Sequence, residues 1–440
     1  MNIFAGIIVG LLVLTILVIL HEAGHFIAAR RNGVKVLEYG IGFPPRAVAW
    51  IKDPKTHKWR RLKKSEWANT GIMSTVTSVE KEKAEEGKRT AAKDVGGKKK
   101  REKLIADGLI FSINWLPIGG FCQMDGESAE DERPGTFGHA NFWQKTKILF
   151  AGVAMNWLAA FVIFTILAWT GMPQFLEGQF TVEADTRVVQ EPVKVVQVVE
   201  GSPAATAGFQ TGDYIVSING QDVSRGSEVT AINNEHPGEQ VTYKILRRGA
   251  PECNCDENLE LVATLNQADS DYLLGVSMET SDTFAYSTWS APIVGAGLTL
   301  QITGETYKGL GELLWNLITG TGRLFSFDDS VRQSGQEAIQ TVGESVSGPV
   351  GIIGVLFPSF TAAGPNNLAF LTALISVSLA CMNVLPIPAL DGGRWLLIGI
   401  YKLRRKKLTK ETEQKIVSRA MFVLLALMAI VTILDITRFF

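Results

Sequence analysis

The residues most suited to chemistry in this chain are His21, Glu22 and His25, in the pattern HEAGH. On a helix, positions four apart differ by about 40° of rotation, so both imidazoles face one way and can reach one zinc ion. Glu22, beside the first imidazole, can take a proton from water whose pKa the metal lowers towards neutrality. Two His and a Glu with no role in an apolar helix would cost on the order of several kcal/mol, which argues for function. A catalytic zinc needs a third protein ligand and one open position. Asp391, in MNVLPIPALDGGRW, is the best-placed acid: Pro386 and Pro388 break the helix, and Gly392 and Gly393 let the backbone approach closely. Asn383, about two helical turns earlier, and Asn156 carry amides that could donate to an oxyanion. For Asn156, packing between helices is the stronger reading. HExxH is short enough to arise by chance, so the elements around it must decide.

Residues 3–20 carry no charge and run directly into HEAGHFIAA, long enough to cross about 30 Å of hydrocarbon. The stretch lacks the basic start and small-residue cleavage site of a signal peptide. Three more spans are expected at 148–170, 367–391 and 419–437. The stretch 30–147 is dense in Lys and Arg, as is YKLRRKKLTK at 401–410, whereas 171–366 holds nine basic residues. Positive residues near span ends stay in the cytoplasm. The first span (1–30) therefore begins outside, 31–147 and 392–418 lie inside, and 171–366 lies outside. In this topology HEAGH sits about 27 Å from the outer start of its span, near the cytoplasmic end where Asp391 also falls.

VLEYGIGFPPRAVAWIK (36–52) and LIFSINWLPIGGFCQM (109–124) read as strands of a membrane-associated β-loop, separated by a charged insertion at about 53–107. That insertion reads as a solvated loop, with attachment to anionic lipid as the functional alternative. Cys253 and Cys255 read as a loop with two thiols, and metal binding is the less favoured reading. Residues 291–366 are amphipathic and Gly-rich, suggesting a helix on the outer membrane surface; Glu305, Lys308 and Glu312 argue against a fifth span.

Between 190 and 280, strand-like runs alternate with turns, and VVEGSPAATAGFQTGDYIVSINGQDV (198–223) resembles the PDZ domains of bacterial membrane proteases. Such domains bind extended peptides, including free C-termini, along a sheet edge. The piece YLLGV (272–276) looks like the peptide-binding loop and strand, moved to the end by circular permutation. Leu273, Leu274, Gly275 and Val276 are then candidate peptide contacts, and an ordinary buried strand is an equal alternative.

HEAGH, NVLPIPALDGG and a permuted PDZ domain between them resemble the site-2 protease family of intramembrane zinc metalloproteases, of the regulator-of-sigma-E type. WLPIGGFCQMDGE (115–127), FAGVAMNW (150–157) and SGPVGI (347–352) are similar to further family motifs. The fold implied is a polytopic α-helical membrane protein of four spans, with a β-loop and an extracytoplasmic PDZ domain, in a bacterial inner membrane. The resemblance implies one Zn2+ per chain on His21, His25 and Asp391, activation of water by Glu22, and Asn383 steadying the substrate. An unwound substrate is expected to pair with the loop at Pro117, Gly119, Gly120 and Met124. The expected partners are the lipid bilayer and single-span membrane proteins already shortened by another protease, such as anti-sigma factors or signal-peptide remnants. No nucleic acid is expected. Three features depart from the family: Val153 replaces the usual Pro, one PDZ domain stands where some members have two, and the charged insertion has no counterpart. A non-proteolytic scaffold, a protease of soluble proteins and a zinc transporter are weaker readings, since none explains both HExxH inside a span and LDGG.

Overall fold

The computed structural model describes residues 3–53, 56–69, 108–128, 131–190, 192–247, 256–270, 272–279, 283–326, 328–345 and 348–439. Most of the charged insertion, Cys253, Cys255 and Ser347 lie outside the described residues. The chain forms two compact units, one of residues 1–165 with 295–440 and one of residues 166–294.

In the first unit, helix α1 (Ile3–Arg31) has its buried positions at Gly6, Gly10, Leu17, His21, Gly24, His25 and Ala29, a single face of mostly small residues. Small residues let helix backbones come close where lipid offers no hydrophobic drive. A Cβ on Gly24 would fall 2.3 Å from the Ala151 carbonyl oxygen of α2 (Phe142–Thr170), and one on Gly6 would fall 2.4 Å from Pro358 Cα. Pro358 belongs to the short apolar helix α7 (Pro349–Ala362), which follows α5 (Ala291–Leu324) and α6 (Asp329–Ser345) in the chain. Helix α8 (Pro365–Val384) packs on α2: Ser376 Oγ donates to the Asn156 carbonyl at 2.8 Å, and Phe370 meets Phe164 edge to face. Helix α9 (Asp391–Leu403) and α10 (Lys410–Phe439) complete the unit. Asp435, buried in α10, accepts the Gly348 and Gly351 N–H groups at the start of α7, which satisfies an acid otherwise costly in lipid.

Among the described residues four helices are long and apolar enough to cross a membrane: α1, α2, α8 and α10. The expected third span ran to Asp391, but α8 stops at Val384 and Asp391 opens the next helix. Leu385 leaves the helix at φ −58°, ψ 148°, because the ring of Pro386 excludes the helical conformation from the residue before it. The helices at the second and fourth spans also begin earlier than their apolar runs, at Phe142 and Lys410.

The stretches 36–52 and 109–124 form strands β1 (Val36–Lys52) and β3 (Leu109–Met124), with β2 (Trp59–Arg61) on the outer edge of β1. The first half of β3 is flanked twice by β1, since Ile110 partners both Glu38 and Ile51. Among the described residues its second half, Gly120 to Met124, pairs with β1 alone, leaving its other side as an edge. The bend of β1 is held by a buried ion pair, Arg46 Nε donating to Glu38 at 2.9 Å.

The second unit carries two sheets. Strands β4 (Met172–Pro173), β12 (Thr283–Tyr286) and β5 (Arg187–Gln190) form one, in the order β4-β12-β5. The larger sheet joins β6 (Val193–Val198), β7 (Tyr214–Ile218), β9 (Gln240–Arg247), β10 (Glu257–Thr264) and β11 (Val276–Glu279) in the order β10-β9-β7-β6-β11, with β8 (Gln221–Asp222) on β7. Two helices cover it, α3 (Pro203–Ala207) and α4 (Gly226–Glu235). Ser202 caps α3 through the Ala205 N–H, and Gly208 closes it at φ 94°, a left-handed conformation that favours glycine. Inside lie Val193, Ile215, Tyr243, Ile245 and Leu274. Leu274 is thus a core residue, its carbonyl accepting the Ala204 N–H, and the strand begins only at Val276, after Gly275 at φ 79°.

Candidate metal centre

Helix α1 supplies His21 and His25 one turn apart, and the opening of α9 supplies Asp391. Their three facing atoms form a near-equilateral triangle. His21 Nε2 and His25 Nε2 are 3.1 Å apart, and each is 3.2 Å from Asp391 Oδ2. A tetrahedral zinc with bonds of about 2.0–2.1 Å separates its ligands by about 3.3 Å, so the triangle has the right size.

The donor chemistry agrees. His25 Nδ1 donates to the Ile148 carbonyl at 2.8 Å, which puts its hydrogen there and leaves Nε2 as a lone pair. Asp391 Oδ2 is buried and has no hydrogen-bond donor. Three such atoms at this range need a proton or a metal cation between them, and the residues present fit zinc.

The backbone leaves room for an ion. Gly152 of α2 faces the triangle, and a Cβ there would lie 2.5 Å from His25 Nε2 and 2.8 Å from His21 Nε2. Gly392 and Gly393 bring α9 against the carbonyls of Val384 and Ile387, each 2.0 Å from where a Cβ would be. Bulkier residues there would push Asp391 away from the imidazoles.

Asn156, four residues after Gly152, lies behind His21, with Nδ2 3.4 Å from His21 Nδ1. Its Oδ1 is buried without a partner. If Nε2 holds a metal, Nδ1 carries a hydrogen and needs an acceptor; turning the amide by 180° supplies Oδ1 and removes the orphaned oxygen. Spacing alone pointed to packing for Asn156, and the structure also sets its amide against the His21 ring. The signal in the sequence was the four-residue interval from Gly152, which sets both on one face of α2.

Glu22 points to the β-loop. A Cβ on Gly120 would sit 3.7 Å from Glu22 Cγ, and the Cys122 N–H lies near the Glu22 carboxylate. Gly119 has φ 80°, and its open α-carbon lies against Phe43. Tyr39 Oη donates to the Ile19 carbonyl at 2.7 Å, binding β1 to α1. Pro117 lies within β3, and Met124 is buried at its end, its N–H on Glu127. The structure does not bring the Asn383 amide nitrogen to the triangle, for it donates to the Leu379 carbonyl of its own helix at 2.9 Å. A cleft of about 780 Å³ reaches Asp391 between Gln123 and Met124 of β3, Pro388, and Glu413 of α10.

Comparison with known proteins matches the chain to peptidase family M50 over residues 9–62 and 90–428. It is 26% identical to the zinc metalloprotease RasP of Oceanobacillus iheyensis, covering 98% of both chains. It is 26% identical to the regulator of sigma-W protease RasP of Bacillus subtilis over 96% of each chain, and 27% identical to the probable protease eep of Enterococcus faecalis over 99% of each. With a His, His and Asp cluster that could hold a metal ion and a family match along nearly its whole length, the chain belongs to peptidase family M50, as a multi-pass bacterial membrane protein and an intramembrane zinc metalloprotease of the site-2 type.

Proposed function

We propose that His21, His25 and Asp391 hold one zinc per chain and that Glu22 is the general base for cleaving a peptide bond within a membrane-spanning segment. The observation that carries this is the triangle of facing nitrogen and oxygen atoms, joined from two helices far apart in sequence, with Glu22 beside it. Zinc there supplies Lewis acidity, polarising water and the substrate carbonyl. The chain does the rest. Glu22 takes a proton from the attacking water and is placed to pass it to the departing amine. The Glu22 carboxylate lies near the Cys122 N–H of β3.

A membrane helix protects its peptide bonds with its own hydrogen bonds, so the substrate must unwind before attack. The edge of β3 at Gly120, next to Glu22, supports a role in offering replacement partners, while the Met124 N–H is already held by Glu127. We assign substrate pairing to the loop from Pro117 to Met124, and steadying of the unwound segment to Asn383. The Lys and Arg distribution supports a site near the cytoplasmic face, with the 190–280 domain outside. That domain is of PDZ type in this reading: β11 is an edge strand, and Gly226 at the start of α4 lies close to Met278 on it, as in a peptide groove. With Leu274 in the core, Leu273, Gly275 and Val276 remain the candidate peptide contacts. The substrates are single-span proteins already shortened outside, such as anti-sigma factors or signal-peptide remnants.

Incubating the purified protein with a single-span substrate, with and without chelator, and locating the cut by mass spectrometry tests this reading. A chelator-sensitive cut inside the span is expected. Glu22→Gln should abolish it while zinc stays near one per chain, and residual cutting by that variant would remove Glu22 from the mechanism.

A further inference from the structure

Away from the zinc cluster, four lysines meet around a cleft of about 220 Å³. Lys145 comes from the start of α2, Lys402 from the last turn of α9, and Lys406 and Lys407 from the residues that follow. The acid on the lining, Glu132, is engaged by Lys407 at 2.9 Å. Lys145 is only 8% exposed, and its ammonium donates to the Gly138 carbonyl at 2.7 Å rather than to a carboxylate. Arg394 and Lys402 add like charge around it, and Glu413, the acid that opposes them, is bonded to Arg394 at 3.3 Å. Lys402 Nζ sits 4.5 Å from the centre of the Phe142 ring. Among the described residues, neither Lys402 nor Lys406 has an ion-pair partner.

Helix stability explains only part of this grouping, since Lys402 in the last turn of α9 suits that helix's dipole but Lys145 does not suit its own. A cation in the first turns of α2 opposes the helix dipole, and a buried ammonium without a counter-ion is costly. The cluster is complementary to an anion with several oxygens. Its rim identifies what kind. Trp143, 72% exposed, sets its ring edge to face against that of Phe142, which lines the cleft, at 6.0 Å between centroids. A soluble anion has no use for apolar side chains at the mouth of its site, whereas a lipid brings acyl chains with its phosphate. Tryptophan at the start of a span is a common marker of head-group depth, and basic pockets between spans suit anionic head groups.

The geometry points to a site for the phosphate-bearing head group of an anionic phospholipid, with Lys145, Lys402 and Lys406 around the phosphate and Phe142 and Trp143 along the acyl chains. The full-length protein is reconstituted in phosphatidylcholine nanodiscs doped with phosphatidylglycerol, and the lipid retained after release is counted by native mass spectrometry. Phosphatidylglycerol should be retained at one per chain, and Lys402→Gln with Lys406→Gln should lower occupancy about tenfold or more. Lys63→Gln with Lys64→Gln removes the same charge from an exposed site elsewhere and should change nothing. Equal occupancy in the wild type and the first pair, or an equal loss in both pairs, overturns the site. Displacement of the lipid by inorganic phosphate also overturns it, in favour of a free anion. Zinc content and melting temperature report folding, and if the double variant misfolds, exposed Lys406→Gln alone should still lower occupancy.

Discussion

Gly152→Ala adds one methyl group, which makes it a sharp probe of the metal centre. The new Cβ would lie 2.5 Å from His25 Nε2, 2.7 Å from His21 Cε1 and 2.8 Å from His21 Nε2, all closer than real Cβ contacts. Relief to ordinary contact requires ring movements of up to about 1 Å, whereas metal sites tolerate about 0.2 Å in ligand distance. Two of three ligands are disturbed together. The loss of zinc affinity should therefore exceed the 10–100-fold typical of losing one outer partner, or about 3 kcal/mol at the hundredfold level. Alanine is the better helix former by about 1 kcal/mol, so a loss of zinc is not expected to come from a weaker helix. Gly304→Ala, in α5 with nothing near its added methyl, is the control. Each purified variant is titrated with a zinc chelator and the retained metal measured, with thermal melting alongside. If Gly152→Ala keeps its zinc against chelator as the wild type does, the metal is not where the triangle puts it.

Asn156→Leu should weaken zinc binding about 10–100-fold, and Asn156→Asp, which keeps an acceptor for His21 Nδ1, should recover most of it; equal loss in both would leave Asn156 a packing residue. In the second unit, Asp213 is fully buried and takes two hydrogen bonds from Arg247, at 2.7 and 2.8 Å. Asp213→Ala should cost about 3 kcal/mol of that unit's stability, read as faster proteolysis of 166–294, and should leave chelator-resistant zinc unchanged. Asp185 is held below the ordinary carboxylate pKa by the hydroxyls of Ser290 and Thr288 and then by their N–H groups. A lowered folded-state pKa stabilises above the unfolded value of about 3.9 and is lost as pH falls below it, so Asp185→Asn should flatten the acid limb of hydrogen exchange at Ser287 to Ser290. A limb of unchanged slope would show that this carboxylate does not govern the junction.

The HEAGH spacing, the four apolar runs, the two long strands and the LDGG turn were all legible because each depends on a short period or a local steric rule. Two imidazoles four apart share a helix face whatever surrounds them. Strand and turn character likewise rests on near neighbours, as with the Ser202 cap and Gly208. Asp391 could be chosen as a ligand from charge and depth along the chain, but the register of α9 could not. Pro386 ends α8 early, and only the packing of Gly392 and Gly393 on the preceding loop brings the carboxylate back to the imidazoles. The space kept open by Gly152, the orientation of Asn156 and the approach of β3 to Glu22 are contacts between residues about a hundred or more positions apart. Local periodicity says which face a residue occupies, not which element lies opposite. That pairing depends on close packing of whole helices and sheets, and so it was left to the tertiary structure.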